Sequence, residues 1–326
     1  MSPIRRALLG LAALALVAGA RTAAAEDYPS RPVKIIVSFA PGGIADTTGR
    51  LIAQGLGTAF DKPVIVENRP GAGAIVGIAL VAKAPPDGYT LLLANTNVST
   101  NPALYAQLPY DADRELIPVA NAVITPAVLV VHPALPVATI DDFLALARAK
   151  PGQIDYASVG VGSFPHYDMI MFEKKAGIDL IDVPLKGGAS EVVTNMASGE
   201  VQAAFLNVAT TAGLIKSGNL RPLAVVSSKR LADYPDVPTM AEAGYPGIGT
   251  EQWNTLFARA GTPPEVLDVL FKASVEALHS EQAQKIFAPQ YIRVIPSDSP
   301  AEAARWIRQD IEHWRDIVKV AGLKVD

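Results

Sequence analysis

The sequence predicts an α/β fold in two lobes with a ligand cleft between them, and three observations carry that expectation. β-rich runs alternate with helix-like patterns, the rhythm of βαβ units on a mainly parallel sheet. The alternation comes in two series, Val33–Ala94 and Ala127–Val226. At 326 residues, 50% of them apolar, the chain is also past the size at which a single core keeps growing.

In the first series, strand-like Val33–Phe39 precedes helix-like Gly43–Phe60, strand-like Val64–Glu67, helix-like Gly73–Ala82 and strand-like Tyr89–Ala94. The run from Lys34 to Phe39 is nearly continuously apolar, as in a central strand covered on both faces. The second series reads Ala127–His132, Thr139–Lys150, Ile154–Ala157, Gly162–Ala176, Leu180–Pro184, Ser190–Ala197, Gln202–Leu206, Thr210–Lys216 and Leu220–Val226. The join around Val119–Pro126 is apolar and not a Gly/Ser linker, which favours lobes joined by crossing strands. Thr139–Asp142, Thr262–Glu265 and Ser299–Glu302 each place a hydroxyl at a helix N-cap and an acid three residues on, and the last two add a proline at the first helical position. The final helix carries Ile307, Ile311, Trp314, Val318 and Ala321 on one face and ends at Gly322, so its tryptophans read as core anchors.

The first 25 residues read as a secretory signal: Arg5 and Arg6 precede an apolar run from Ala7 to Ala20, and Ala23–Ala25 suits cleavage after Ala25. That run is short of the roughly 20 residues of a membrane span. With no cysteine in the chain, disulfides, zinc ribbons and a lipid anchor are excluded, so a soluble periplasmic product is expected. Residues 1–25 hold three arginines and no acid, so the remainder carries 25 basic against 32 acidic residues, a formal charge of −7. Neither that balance nor any basic run suits a nucleic-acid binder.

The most informative segment is Phe39–Arg50, in which a buried strand ends in Pro41-Gly42-Gly43 and a helix starts with Asp46 in its first turn. Free N–H groups at such a helix start, reached through glycines, make an anion site. The alternative is a tight turn in which Asp46 serves only the helix end. Gly71–Gly77 mimics a dinucleotide fingerprint, but Asn68-Arg69-Pro70 stands between the strand and the glycines and the last spacing is one residue too long, so a turn into a close-packed helix is preferred, with cleft lining as the second reading. Tyr156–Met169 repeats the first loop's logic, with Ser158, Gly160, Gly162 and Ser163 before a helix carrying His166. Two such loops at strand carboxyl ends define a cleft. Ser163, His166 and Asp168 invite a hydrolase reading, discounted because residues so close on one loop and helix start seldom form a triad. Scattered His132, His166, His279 and His313 offer no metal site, and no cofactor is expected. Lys186-Gly187-Gly188 either adds a cation or N–H donors to the cleft or makes a solvated turn, the turn being preferred, and Asn207 stands where a cleft residue would.

Five segments in this order, Tyr28–Gly43, Val66–Gly73, Ala84–Leu92, Val183–Val193 and Asp233–Gly247, resemble the periplasmic solute-binding components of tripartite tricarboxylate transporters, the Bug family, over essentially the whole chain from Tyr28. The resemblance implies a type II, Venus-flytrap binding protein, with residues 26–125 and 250–326 as one lobe and 126–249 as the other. It implies a monomer that closes on a small carboxylate and delivers it to small and large membrane subunits of a tripartite permease. The contacts it implies are Phe39, Gly42, Gly43, Asp46, Asn97, Ser158, Gly162, Ser163, His166 and Asn207. The chain departs from the family's common residues at Leu185, Leu206 and Phe164-Pro165. That implies a plain carboxylate and not an amino acid, with an apolar or aromatic body against Phe164 and Leu206. The alternatives are a secreted serine hydrolase using Ser163 and His166, and a sensor subunit using the same cleft.

Overall fold

The β-branched run Val33–Val37 forms β1, whose Val33, Ile35, Ile36 and Val37 side chains are fully buried. In the computed structural model, which describes residues 28–160, 163–185, 189–295 and 297–322, it is followed by α1 (Ile44–Phe60), β2 (Val64–Asn68), α2 (Ile75–Ala82), β3 (Thr90–Asn95), α3 (Asn97–Leu104), the one-turn α4 (Ala112–Glu115) and β4 (Leu116–Thr125). The chain then builds β5 (Ala127–Val131), α5 (Ile140–Ala149), β6 (Asp155–Ser158), α6 (Phe164–Ala176), β7 (Ile181–Pro184), α7 (Ala189–Ser198), β8 (Ala203–Asn207), α8 (Val208–Lys216) and β9 (Arg221–Val226). It closes with β10 (Gln252–Arg259), α9 (Pro264–Leu278), α10 (Glu281–Phe287), β11 (Arg293–Val294) and α11 (Pro300–Ala321).

Two sheets result, in the orders β11-β4-β10-β3-β1-β2 and β7-β6-β8-β5-β9. They are mixed, which corrects the mainly parallel expectation. β1 pairs in parallel with β2 and β3, and β6 with β7 and β8, while β4, β5, β9, β10 and β11 all pair antiparallel. The cause lies in the joins. β4 passes into β5 through Pro126 alone, and β10 returns to pair with β3 and β4, so the crossing strands enter each sheet against the direction of its βαβ units.

Helix ends follow the local chemistry with one exception. Thr139 and Asp142 form a reciprocal capping box, and Ser299 accepts from the Glu302 N–H ahead of Pro300. At the third start the Thr262 hydroxyl donates to the Arg259 carbonyl at 2.7 Å, so Pro263 is the N-cap and the helix begins at Pro264. Gly322 ends α11 at φ +71°, its N–H donating to the Val318 carbonyl.

The second core is centred on Phe172, which meets Phe143, Phe205 and Tyr245 at ring separations of 6.5, 6.1 and 5.0 Å. On the first sheet, α1 and α9 approach so closely that a Cβ on Gly55 would lie 2.2 Å from the Ala277 Cβ. The helices would have to separate to admit a methyl group. Gly55→Ala is expected to cost about 1.5 kcal/mol net of its gain in helix propensity, lowering Tm by about 3–6 °C in a thermal melt. α11 packs on the first sheet through Ile307 and Ile311, then reaches the other body through Trp314, whose ring lies 4.9 Å from that of Tyr167.

Candidate functional site

A cavity of about 570 Å³ lies between the two sheets. Four helices start on its wall: Gly43 before α1, Thr96 before α3, Ser163 before α6 and Asn207 before α8 all line it. None of these four N-cap residues makes a side-chain capping hydrogen bond. The Asn97 N–H is taken by Asn95 Oδ1 at 3.0 Å and the Val208 N–H by the Pro126 carbonyl at 3.0 Å, but no N-cap side chain shields the helix starts, and the positive ends of four helix dipoles converge on one space. Among the described residues no Asp, Glu, Lys, Arg or His side chain lines the cavity.

The first loop is held from behind. Asp46, buried, accepts from the Gly42 N–H at 3.0 Å, from Arg50 Nε at 3.0 Å and from Asn68 Nδ2 at 2.9 Å, and Asn68 Nδ2 also donates to the Phe39 carbonyl at 3.0 Å. Burial opposes ionisation of Asp46, but these hydrogen bonds and the Arg50 charge outweigh it and hold the carboxyl below its usual range. Gly42 sits at φ +88°, a conformation open to glycine, and turns the chain so that Gly43, Ile44 and Ala45 face the cavity.

Of the residues expected at the site, Phe39, Gly43, Asn97, Ser163 and Asn207 line the cavity. Gly42 and Asp46 stand one step behind, as the turn and its anchor. Ser158 is fully buried, and its Oγ accepts from the Gly160 N–H at 3.1 Å. His166 is turned away, its Nε2 3.6 Å from Asp182 Oδ2 and its Nδ1 without a partner. Burial pushes its pKa down against the pull of Asp182, which favours the neutral ring. Gly162 and Lys186-Gly187-Gly188 lie outside the described residues. The Ser163 hydroxyl donates to the Gly160 carbonyl at 2.7 Å, so its proton is committed to the loop and not to His166. That arrangement offers nothing to the hydrolase reading.

Sequence reasoning passed over the polar wall of the first sheet: Asn95, Thr96, Thr100, Asn101, Gln252 and Asn254 also line the cavity. Gln252 and Asn254 are amide residues inside a buried strand, flanking Trp253, a signal that was there to be read. α3 left little signal, because its Asn, Ser, Thr and Pro residues favour turns over helix. Gly73, at φ +58°, contributes to the wall, while Gly77 is the close-packing glycine, its Cβ position 2.9 Å from Ser38.

The family profile described as "Tripartite tricarboxylate transporter family receptor" matches residues 48–323. Protein BugT of Bordetella pertussis is 35% identical over 303 residues, covering 92% of each chain. Among solved structures, an R. palustris protein with adipate superposes at a TM-score of 0.82 with 31% identity, covering 91% of this chain and 99% of its own. The periplasmic binding protein BugD gives 0.80 with 30% identity, covering 91% and 99%. MatC from Rhodopseudomonas palustris, with bound malate, gives 0.79 with 27% identity, covering 89% and 100%. With the profile spanning most of the chain and the two-sheet architecture shared throughout, this chain belongs to the tripartite tricarboxylate transporter receptors, the Bug family, and is a solute-binding protein and not an enzyme.

Proposed function

We propose that the chain captures a small carboxylate between its two lobes and delivers it to the small and large membrane subunits of a tripartite permease. The observation that carries this reading is the convergence of four helix N-termini, none closed by its N-cap side chain, on one cavity, an arrangement suited to an anion. The relatives solved with adipate and malate support the same class of ligand. A formal charge of −7 on the chain from Glu26 onward does not oppose it, because salt screens the distant field over about 8 Å while backbone dipoles act at contact.

In this reading residues 26–125 and 250–326 form one lobe and 126–249 the other, in keeping with a chain that leaves the first sheet at Thr125 and returns to it at Gln252. Gly43, Asn97, Ser163 and Asn207 meet the ligand, with Phe39 beside it. Gly42 and Asp46 hold the first loop, and Ser158 and His166 shape the second. Export to the periplasm with cleavage after Ala25 follows from the N-terminal run and the family's character. Among the described residues no helix is long and apolar enough to cross a membrane.

A thermal-shift screen over mono-, di- and tricarboxylates tests the reading. At a ligand concentration 100 times Kd, the binder is expected to add about 2.7 kcal/mol to stability and raise Tm by about 5–10 °C. Stabilisation by sugars or cations but by no carboxylate would overturn it, and aspartate or glutamate as the best ligand would overturn the expectation of a plain acid.

A further inference from the structure

The cavity wall combines its helix ends with apolar side chains that the rest of the fold covers only in part. Val159 is 37% exposed, and it is the one exposed large hydrophobic among the described residues that lines the cleft. Phe39, Ile44 and Tyr105 on the first-sheet side and Phe164 on the other are each only partly buried and line the same space. Leu206, expected from sequence as part of this wall, also lines the cavity, although it is only 2% exposed and packs with Val128 and Val130 in the second sheet's core. The floor of the cavity includes Trp314.

Apolar side chains facing each other across a closing cleft gain free energy from closure only if something apolar fills the space between them or they meet directly. The polar wall of the first sheet can meet a ligand's polar groups, but a short hydroxylated acid would leave much of the roughly 570 Å³ and the apolar side chains without a partner. We infer that the ligand carries an apolar body of about ring size beside its carboxylate, received between Phe39, Ile44 and Tyr105 on one side and Val159 and Phe164 on the other. This inference rests on the carboxylate reading and adds the character of the rest of the molecule. The carboxylate meets the helix ends, and the body is sandwiched as the cleft closes. Closure on such a ligand removes apolar surface from water, so binding carries a negative heat-capacity change.

Calorimetric titration of the mature chain with phenylacetate, benzoate and malate tests it. Phenylacetate or benzoate is expected to bind at least about tenfold more tightly than malate, with the binding enthalpy becoming more negative on warming. Val159→Asn and Phe164→Asn replace side chains that are not fully buried, so Tm should hold, while affinity for the ring acid falls about tenfold and that for malate changes less than about twofold. Malate binding more tightly than both ring acids, or ring-acid affinity unchanged in both variants, overturns the inference and leaves the carboxylate reading standing. If no carboxylate binds, both fall together.

Discussion

Gly42→Asp is expected to abolish carboxylate binding, by a thousandfold or more in calorimetric titration, while the protein stays folded. Two effects combine. The φ of +88° is unfavourable for any side chain other than glycine's, and forcing it costs about 1–3 kcal/mol or re-routes the loop. The new carboxylate also falls beside Asp46 and next to the helix start that is to receive an anion, so like charges meet where an opposite one is wanted. Space is not the obstacle, since nothing lies within 4 Å of the Cβ position, and Gly42 is exposed, so the core is untouched. Gly42→Ala separates the two effects: it keeps the backbone strain without the charge and should lose only about tenfold. Retained affinity in Gly42→Asp would remove the first loop from the site.

Asp168→Asn is expected to flatten the pH dependence of stability. Asp168 is buried on α6, accepting from the Thr250 N–H at 2.9 Å and its hydroxyl at 2.6 Å, where the chain heads back to the first sheet. Burial pushes its carboxyl up to about 7, against the two hydrogen bonds from Thr250. The folded protein thus holds this proton up to about pH 7, while the unfolded chain releases it near pH 4. Between those values the native state binds more protons, so stability falls as pH rises through the window and levels off above it. Glu173 adds to the slope, since burial raises it to about 7 as well. The unmodified protein is expected to lose about 5–10 °C in Tm between pH 5 and pH 8, and Asp168→Asn to lose about half of that. An equal slope in both proteins would show that Asp168 is ionised in the native state.

The elements of both lobes were legible because their signals are local. The apolar run of Val33–Val37, the capping box at Thr139 and the face of α11 each depend on residues a few positions apart. Sheet direction was not legible, because the antiparallel pairing of β10 with β3 and β4 joins residues more than a hundred positions distant. At the site, glycine and serine loops pointed to Gly43 and Ser163, since loop chemistry is written in residue type. Whether a side chain faces the cavity is decided by rotation about a helix start. His166 and Tyr167 are neighbours, yet one turns toward Asp182 and the other lines the cavity.

The placement of the tryptophans has an experimental use. Trp253 and Trp306 stack edge to face at 5.4 Å within the first body, away from the cleft. Trp314 alone touches both the cavity and, through Tyr167, the opposite body. Its indole emission is therefore the tryptophan signal that changes when the cleft fills or closes, against a steady background from the other two. The protein comes with its own optical gauge, and stopped-flow fluorescence can time its closure without an added label.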